Sequence, residues 1–127
     1  MSRIIPPLAS FFNTAAQTPL EKITSVEGVH EPGGVDVKVM QAGEDILVLE
    51  VFRKKGAVDP THRHDDHESC GYLITGKMRL IIGGEEFIAG PGTSWRHPRG
   101  VDHFSEALED CYQIEIKSPP CRTWKSE

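Results

Sequence analysis

GAVDPTHRHDDHESCGYLITG, residues 56–76, is the stretch whose reading decides the fold. Its glycines and proline mark strand ends, and between them lie His62, His64 and Glu68. In a strand, alternate side chains share a face and each residue rises about 3.3 Å. His62 and His64 therefore project the same way, with roots roughly 6.6 Å apart, close enough for two imidazoles to meet one ion. Glu68 has the same parity and adds an oxygen if the strand runs on without a bulge. A second stretch, GTSWRHPRGVDH at residues 92–103, carries His103 past a turn. That imidazole joins the first two only if the sheet folds back on itself. Imidazole plus carboxylate suits Zn, Fe(II), Mn, Ni or Cu(II).

Outward from these stretches the chain reads as short strands. VDVKVMQ (35–41) alternates apolar and polar residues, the period of a half-buried strand. EDILVLEVFR (44–53) is apolar on both faces, as inside a sandwich. KMRLIIGGEEFIAG (77–90) is a hairpin around Gly83-Gly84, because a glycine pair supplies the positive φ values of a tight turn. TSWRH ends at Pro98, and DCYQIEIK (110–117) is a last strand. Gly28–Gly34 reads as a turn cluster. Pro119-Pro120 is expected to keep the tail out of regular pairing. The first twenty residues read as an arm with at most one short helix around Leu8–Ala16. Strands every eight to twelve residues, separated by Gly and Pro turns, predict an all-β barrel or double-sheet jelly roll.

The chain has 127 residues, enough for one domain with a core. The expected organisation is a single domain over 1–127, with a barrel core at about 35–118, an arm and first strands at 1–34, and a tail at 119–127. A net charge of −5 argues against nucleic acid as a partner, since phosphate binding needs a basic face. No apolar run approaches the roughly 20 residues that span a bilayer, and RIIPPLASFF is not read as a secretion signal. Three cysteines without a CxxC argue against a disulfide framework, so a reducing cytoplasm is expected.

Gly56, His62, His64 and Gly76 follow one ordered motif, and Gly92, Pro98, Gly100 and His103 a second. In both, the chain resembles the cupin superfamily over about residues 35–118. The first family motif runs glycine, five residues, HxH, three or four residues, glutamate, six residues, glycine. The second runs glycine, five residues, PxG, two residues, histidine, three residues, asparagine. The short spacing between the motifs, Lys77 to Pro91, is similar to that of small microbial single-domain cupins. The resemblance implies a double-stranded β-helix barrel holding one divalent metal ion near its mouth. It implies His62, His64, Glu68 and His103 as ligands, with Zn, Fe, Mn or Ni as the ion. Two departures stand out. Counting forward from His64 gives Glu68 as the acidic ligand, but counting back from Gly76 gives Ser69, and His67 is a further substitute. The motif's final asparagine position is Ala107.

Several other residues lie near these motifs. Trp95 and His97 share a face on the strand before Pro98; Trp95 reads as core, and His97 lines the pocket if that face is inward. Tyr72 offers a phenol and Glu68 a carboxylate for acid–base work. Glu115 is a further carboxylate that parity alone does not place. Arg53 and Arg79 lie on strands and could bind an anionic substrate, though surface solvation is the expectation for both. Arg96 and Arg99, flanking the pocket turn, also read as solvated. No GxSxG, P-loop or GxGxxG is present.

The expected function is a metal-using enzyme acting on a small oxygenated molecule by isomerisation, lyase or dioxygenase chemistry. The resemblance suggests a sugar, a uronate or another carbonyl or hydroxy acid, and GYLITG with the SPP tail looks like cupins of sugar or uronate metabolism. The alternative is a non-catalytic barrel that binds a small ligand. Metal affinity is expected to fall as pH drops through the histidine range near about 6.5. Ile4, Ile5, Leu8, Phe11 and Phe12 give the arm an apolar surface that predicts a homodimer. Neither a nucleic acid nor a membrane partner is expected.

Overall fold

The computed structural model describes residues 3–28 and 31–127. Eleven strands are formed among them: β1 (Glu21–Val26), β2 (Val35–Ala42), β3 (Leu47–Arg53), β4 (Val58–His62), β5 (Glu68–Thr75), β6 (Met78–Ile82), β7 (Glu85–Ala89), β8 (Ser94–His97), β9 (His103–Ala107), β10 (Cys111–Ser118) and β11 (Trp124–Ser126). They make two antiparallel sheets. The larger runs β11-β1-β2-β3-β10-β5-β8 and the smaller β4-β9-β6-β7. Inward residues of both form one core, with Leu47, Leu49 and Leu73 from the larger sheet meeting Met78, Leu80 and Ala107 from the smaller. This is the all-β jelly-roll barrel expected from the strand spacing.

Local chemistry explains most of the strands. β3 buries Leu47, Leu49 and Val51 at every second position, while Val48 and Phe52 lie half-buried on the outer face. Phe52 stacks there on Tyr112 of β10, with ring centroids 5.1 Å apart. β2 starts with the same alternation, but its register slips between Val39 and Gln41, so the buried positions shift to Ala42. Such a bulge bends the strand and re-aims the side chains beyond it. In the β6–β7 hairpin, Gly83 and Gly84 have φ of 59° and 82°, the left-handed pair that a two-residue turn demands. Gly71 in β5 has a different reason. A Cβ there would stand 2.4 Å from the Trp95 ring, so only glycine lets the indole lie across the strand.

Some expectations change. The arm's helix is a single 3-10 turn at Ala15–Gln17 rather than a segment around Leu8–Ala16. Phe11 and Phe12 are both exposed there, so no apolar face exists to pack a longer helix. The Asn13 amide instead donates to the Thr18 hydroxyl at 2.7 Å and to the Met40 carbonyl at 3.1 Å. The tail does join the sheet. β11 pairs with β1, because a proline blocks only its own N–H and the chain is free to pair a few residues later. Arm and tail also meet at a bridge between Ile4 and Cys121. The turn cluster at Gly28–Gly34 falls partly on Val29 and His30, which lie outside the described residues. Among the described residues, no helix is long and apolar enough to cross a membrane.

Candidate metal centre

β4 and β9 are neighbours in the smaller sheet, and their register sets His62 opposite His103. A bulge between Asp59 and His62 precedes this pair. His64 comes next, in the loop that links β4 to β5. Ring centroids are 4.3 Å apart for His62–His103, 4.9 Å for His62–His64 and 5.1 Å for His64–His103. Each residue offers a nitrogen, and these atoms lie within 4.8 Å of one another. Three imidazoles from two separated segments thus converge at one end of the barrel.

Their orientations share a pattern. His62 Nδ1 lies 2.7 Å from the Pro60 carbonyl, His64 Nδ1 lies 2.6 Å from Glu27 Oε2, and His103 Nδ1 lies 3.4 Å from the Val101 carbonyl. An imidazole that donates from Nδ1 keeps its lone pair at Nε2. The Nε2 atoms of His62 and His103 are 3.2 Å apart. With both Nδ1 atoms protonated, these nitrogens present their lone pairs to one another, an arrangement that a shared cation relieves. The donor set therefore fits a divalent metal of the kind that accepts imidazole nitrogen.

The electrostatics keep the His64 and His103 rings neutral. Burial, with the charge of Lys117 adding to it, pushes the pKa of His64 down to about 4 against the pull of Glu27. Burial, then the neighbouring His62 and His64, lowers His103 to about 3. Protons thus compete for these two nitrogens well below the pH near about 6.5 expected for free histidine. Burial raises the pKa of Glu27, but hydrogen bonds from Arg3 and His64 outweigh it and leave the group below its usual value. Glu27 also carries a φ of 54°. A left-handed conformation costs a non-glycine residue about 1–2 kcal/mol, and its carboxylate is the one that holds His64.

A polar cavity continues inward from the imidazoles. It is lined by Arg53, Asp59, Ser69, His97, Glu115 and Lys117, among others. His97 stacks on His103 with centroids 3.8 Å apart and rings 4° from parallel. Its Nδ1 is 3.5 Å from the Ser69 hydroxyl, and its buried Nε2 has no hydrogen-bond partner among the described residues. Arg53 Nη1 donates to Asp59 Oδ2 at 2.5 Å and its Nε to Gln113 Oε1 at 3.1 Å. Lys117 Nζ sits 3.2 Å from Glu115 Oε2. Burial opposes ionisation of Glu115, yet Lys117 and Arg53 outweigh it and pull its pKa down to about 2.

Not every expected residue reaches the site. Glu68 and Tyr72 face outward. Glu68 is half-exposed and makes a loose 3.6 Å ion pair with Arg96, and Tyr72 is 46% exposed. The strand carrying His62 stops there, so the parity linking His64 to Glu68 is broken by the intervening loop. β5 then restarts with Ser69, Gly71 and Leu73 inward. The count back from Gly76 therefore names the inward residue, Ser69. His67 is buried beside the triad, its centroid 4.4 Å from that of His64; its Nδ1 lies 2.8 Å from Asp66 Oδ1, and its buried Nε2 has no hydrogen-bond partner among the described residues. Arg53, read as solvated, is buried, because it shares the inward parity of Leu47, Leu49 and Val51. Arg79 is the exposed residue expected, paired with Glu86 at 2.7 Å. Trp95 packs on the core as expected. Glu27 escapes sequence reasoning, since its partner His64 lies 37 residues away. Glu115 and Lys117 are legible in principle, since CYQIEIK places its polar residues at alternate positions.

Residues 48–110 match the family model described as Cupin domain. The chain is 27% identical over 77 residues to the pectin degradation protein KdgF of Dickeya dadantii, covering 61% of this chain and 70% of that one. It is 33% identical over 89 residues to the oxalate decarboxylase OxdC of Bacillus subtilis, where the match covers 63% of this chain but 23% of the decarboxylase. Among solved structures, KdgF from Halomonas sp. superposes with a TM-score of 0.75 at 25% identity, covering 87% of this chain and 94% of that one. An RmlC-like cupin from Shewanella frigidimarina superposes with a TM-score of 0.76 at 22% identity, over 87% and 92% of the two chains; that likeness is one of fold.

Proposed function

This chain belongs to the cupin superfamily, and from that premise we propose that it is a metal-dependent enzyme acting on a sugar acid by isomerisation or lyase chemistry. The observation that carries the reading is the common orientation of His62, His64 and His103. Each turns Nδ1 to an acceptor, and the three residues offer ligand nitrogens within 4.8 Å of one another. The similarity to a pectin degradation protein supports the substrate class, since pectin is a polymer of uronic acids.

His62, His64 and His103 would hold one divalent ion, with Ser69 facing the same space. Such an ion supplies Lewis-acid polarisation of a carbonyl or hydroxyl oxygen. The remaining roles fall to the chain's own cavity residues. Arg53 and Lys117 line the interior, where their charges are met by Asp59 and Glu115. His97 is held neutral by burial, and its Nε2 makes no hydrogen bond among the described residues. Core side chains around the polar patch limit access of bulk water. In this reading Glu68 and Tyr72 take no part, since both lie at exposed positions of β5.

Elemental analysis of purified protein tests the reading, combined with a screen of uronic acids and keto-uronates against Zn, Fe, Mn and Ni. The expected result is about one divalent ion per chain, lost in His62→Ala and His103→Ala, together with metal-dependent turnover. Full metal content in both variants would overturn the site. A ligand that raises the melting temperature but is recovered unchanged would favour the binding-module alternative.

The same reading includes a homodimer and a reducing compartment. Phe11 and Phe12 lie fully and largely exposed on the arm, a surface that a second copy would cover. Cys70, Cys111 and Cys121 are all free thiols.

A further inference from the structure

His62 and His103 sit on paired strands, where ladder hydrogen bonds fix the backbone that carries them. His64 has no such support, because it lies in the loop between β4 and β5. What orients its ring is Glu27, through the 2.6 Å contact at Nδ1. Glu27 is in turn held from the N-terminal arm. Arg3 Nη1 donates to Glu27 Oε1 at 2.6 Å, so the two carboxylate oxygens are divided between the guanidinium and the imidazole. Nε of the same guanidinium lies 3.0 Å from Asp66 Oδ2, and Asp66 Oδ1 lies 2.8 Å from His67 Nδ1. One cation thus gathers the two carboxylates that steady two adjacent imidazoles.

The arm is seated where this requires. The Arg122 N–H donates to the Arg3 carbonyl at 2.7 Å, and the Ile5 N–H to the Pro120 carbonyl at 2.8 Å. Glu27 is pinned from behind by its own N–H, which donates to the Thr123 carbonyl at 2.7 Å. Its positive φ keeps the carboxylate between Arg3 and His64.

We propose that Arg3 is a positioning residue for the metal centre: by clamping Glu27, the N-terminal arm sets the ring orientation and tautomer of His64. This rests on the metal-centre reading above. Removing the guanidinium frees the Glu27 carboxylate to rotate, and His64 then loses the partner that presents its other nitrogen to the ion. Groups that orient a ligating histidine in this way typically change metal affinity about 10–100-fold when lost.

The test uses the full chain stripped of metal and titrated with Zn(II) alone against a chromophoric chelator. Arg3→Ala and Glu27→Gln should each weaken Zn(II) binding about tenfold or more. Because Arg3 acts through Glu27, the double variant should bind no more weakly than Glu27→Gln alone. Arg3→Lys, which keeps the charge but not the fork, should bind between wild type and Arg3→Ala, and it serves where the alanine variant folds poorly. Histidine nitrogen chemical shifts of the metal-free protein supply a second readout. The His64 pair should move in Arg3→Ala while those of His62 and His103 stay in place. Binding of Arg3→Ala within twofold of wild type, or losses that multiply in the double variant, would overturn the proposal. Wild-type protein that takes up no Zn(II) would remove the metal-centre reading, and this inference with it. Uptake indifferent to Arg3 would remove this inference alone.

Discussion

Arg53 is an arginine inside a β-barrel, and its neighbours explain how it is tolerated. Its side chain is 10% exposed, and the charge is met by Asp59 and by the Gln113 amide oxygen. A buried pair broken from one side leaves the other charge unpaired, which costs about 3–5 kcal/mol. Arg53→Ala should lose stability on that scale, read from the midpoint of urea unfolding, whereas Arg79→Ala on the surface should lose less than about 1 kcal/mol. Gly71 offers a second test. Alanine there drives a methyl group into the Trp95 ring and should destabilise by about 1–3 kcal/mol, the range for an overpacked core. At this scale the sequence is readable where a residue's partners lie close along the chain, as for His62 and His64. It is unreadable where a loop resets the parity, which is why Glu68 and Ser69 exchange places. It also fails where the partner comes from far upstream, as Glu27 does for His64.

β10 shows the clearest effect at the scale of the element. Its inward positions are Cys111, Gln113, Glu115 and Lys117, while Ile114 and Ile116 lie on the outer face. The usual polarity of a half-buried strand is inverted, because β10 lines the cavity that also holds Arg53, Asp59 and His97. The same inversion makes Glu115 a sensor of acid. Its pKa is about 2 in the fold, below the usual carboxylate range near about 4.3. A depressed carboxylate stabilises the fold fully above its unfolded value and ceases to do so as pH falls towards the folded one. Stability should therefore decline between about pH 4.5 and pH 2, by on the order of 3 kcal/mol from this group. Glu115→Gln should flatten that part of the profile, as measured by urea unfolding at successive pH values. Hairpins such as β6–β7 are legible because a glycine pair dictates its turn locally. β11 is not, because its pairing with β1 spans nearly the whole chain.

For the whole molecule, the apolar surface left by the arm decides the prediction. Phe11 and Phe12 are the most exposed large apolar side chains among the described residues, while Ile5 and Leu8 pack against the core. Light scattering should give twice the chain mass, and Phe11→Ser with Phe12→Ser should shift the protein towards a single-chain mass while leaving zinc uptake intact. A wild-type mass equal to one chain would refute the dimer. The jelly-roll class is legible from strand spacing and turns, since those are set by short-range chemistry. The meeting of the arm at Arg3–Ile5 with the tail at Pro120–Arg122 is not, since no local signal specifies it.

The facing positions of His62 and His103 on β4 and β9 have a consequence for how the barrel assembles. Sliding one strand past the other by a single residue would turn one of the two rings to the opposite side of the sheet. An ion held by both rings, as proposed above, would therefore reward the correct alignment alone and act as a proofreader during folding. Refolding with the ion present should favour the aligned barrel over shifted forms, although no backbone hydrogen bond depends on it.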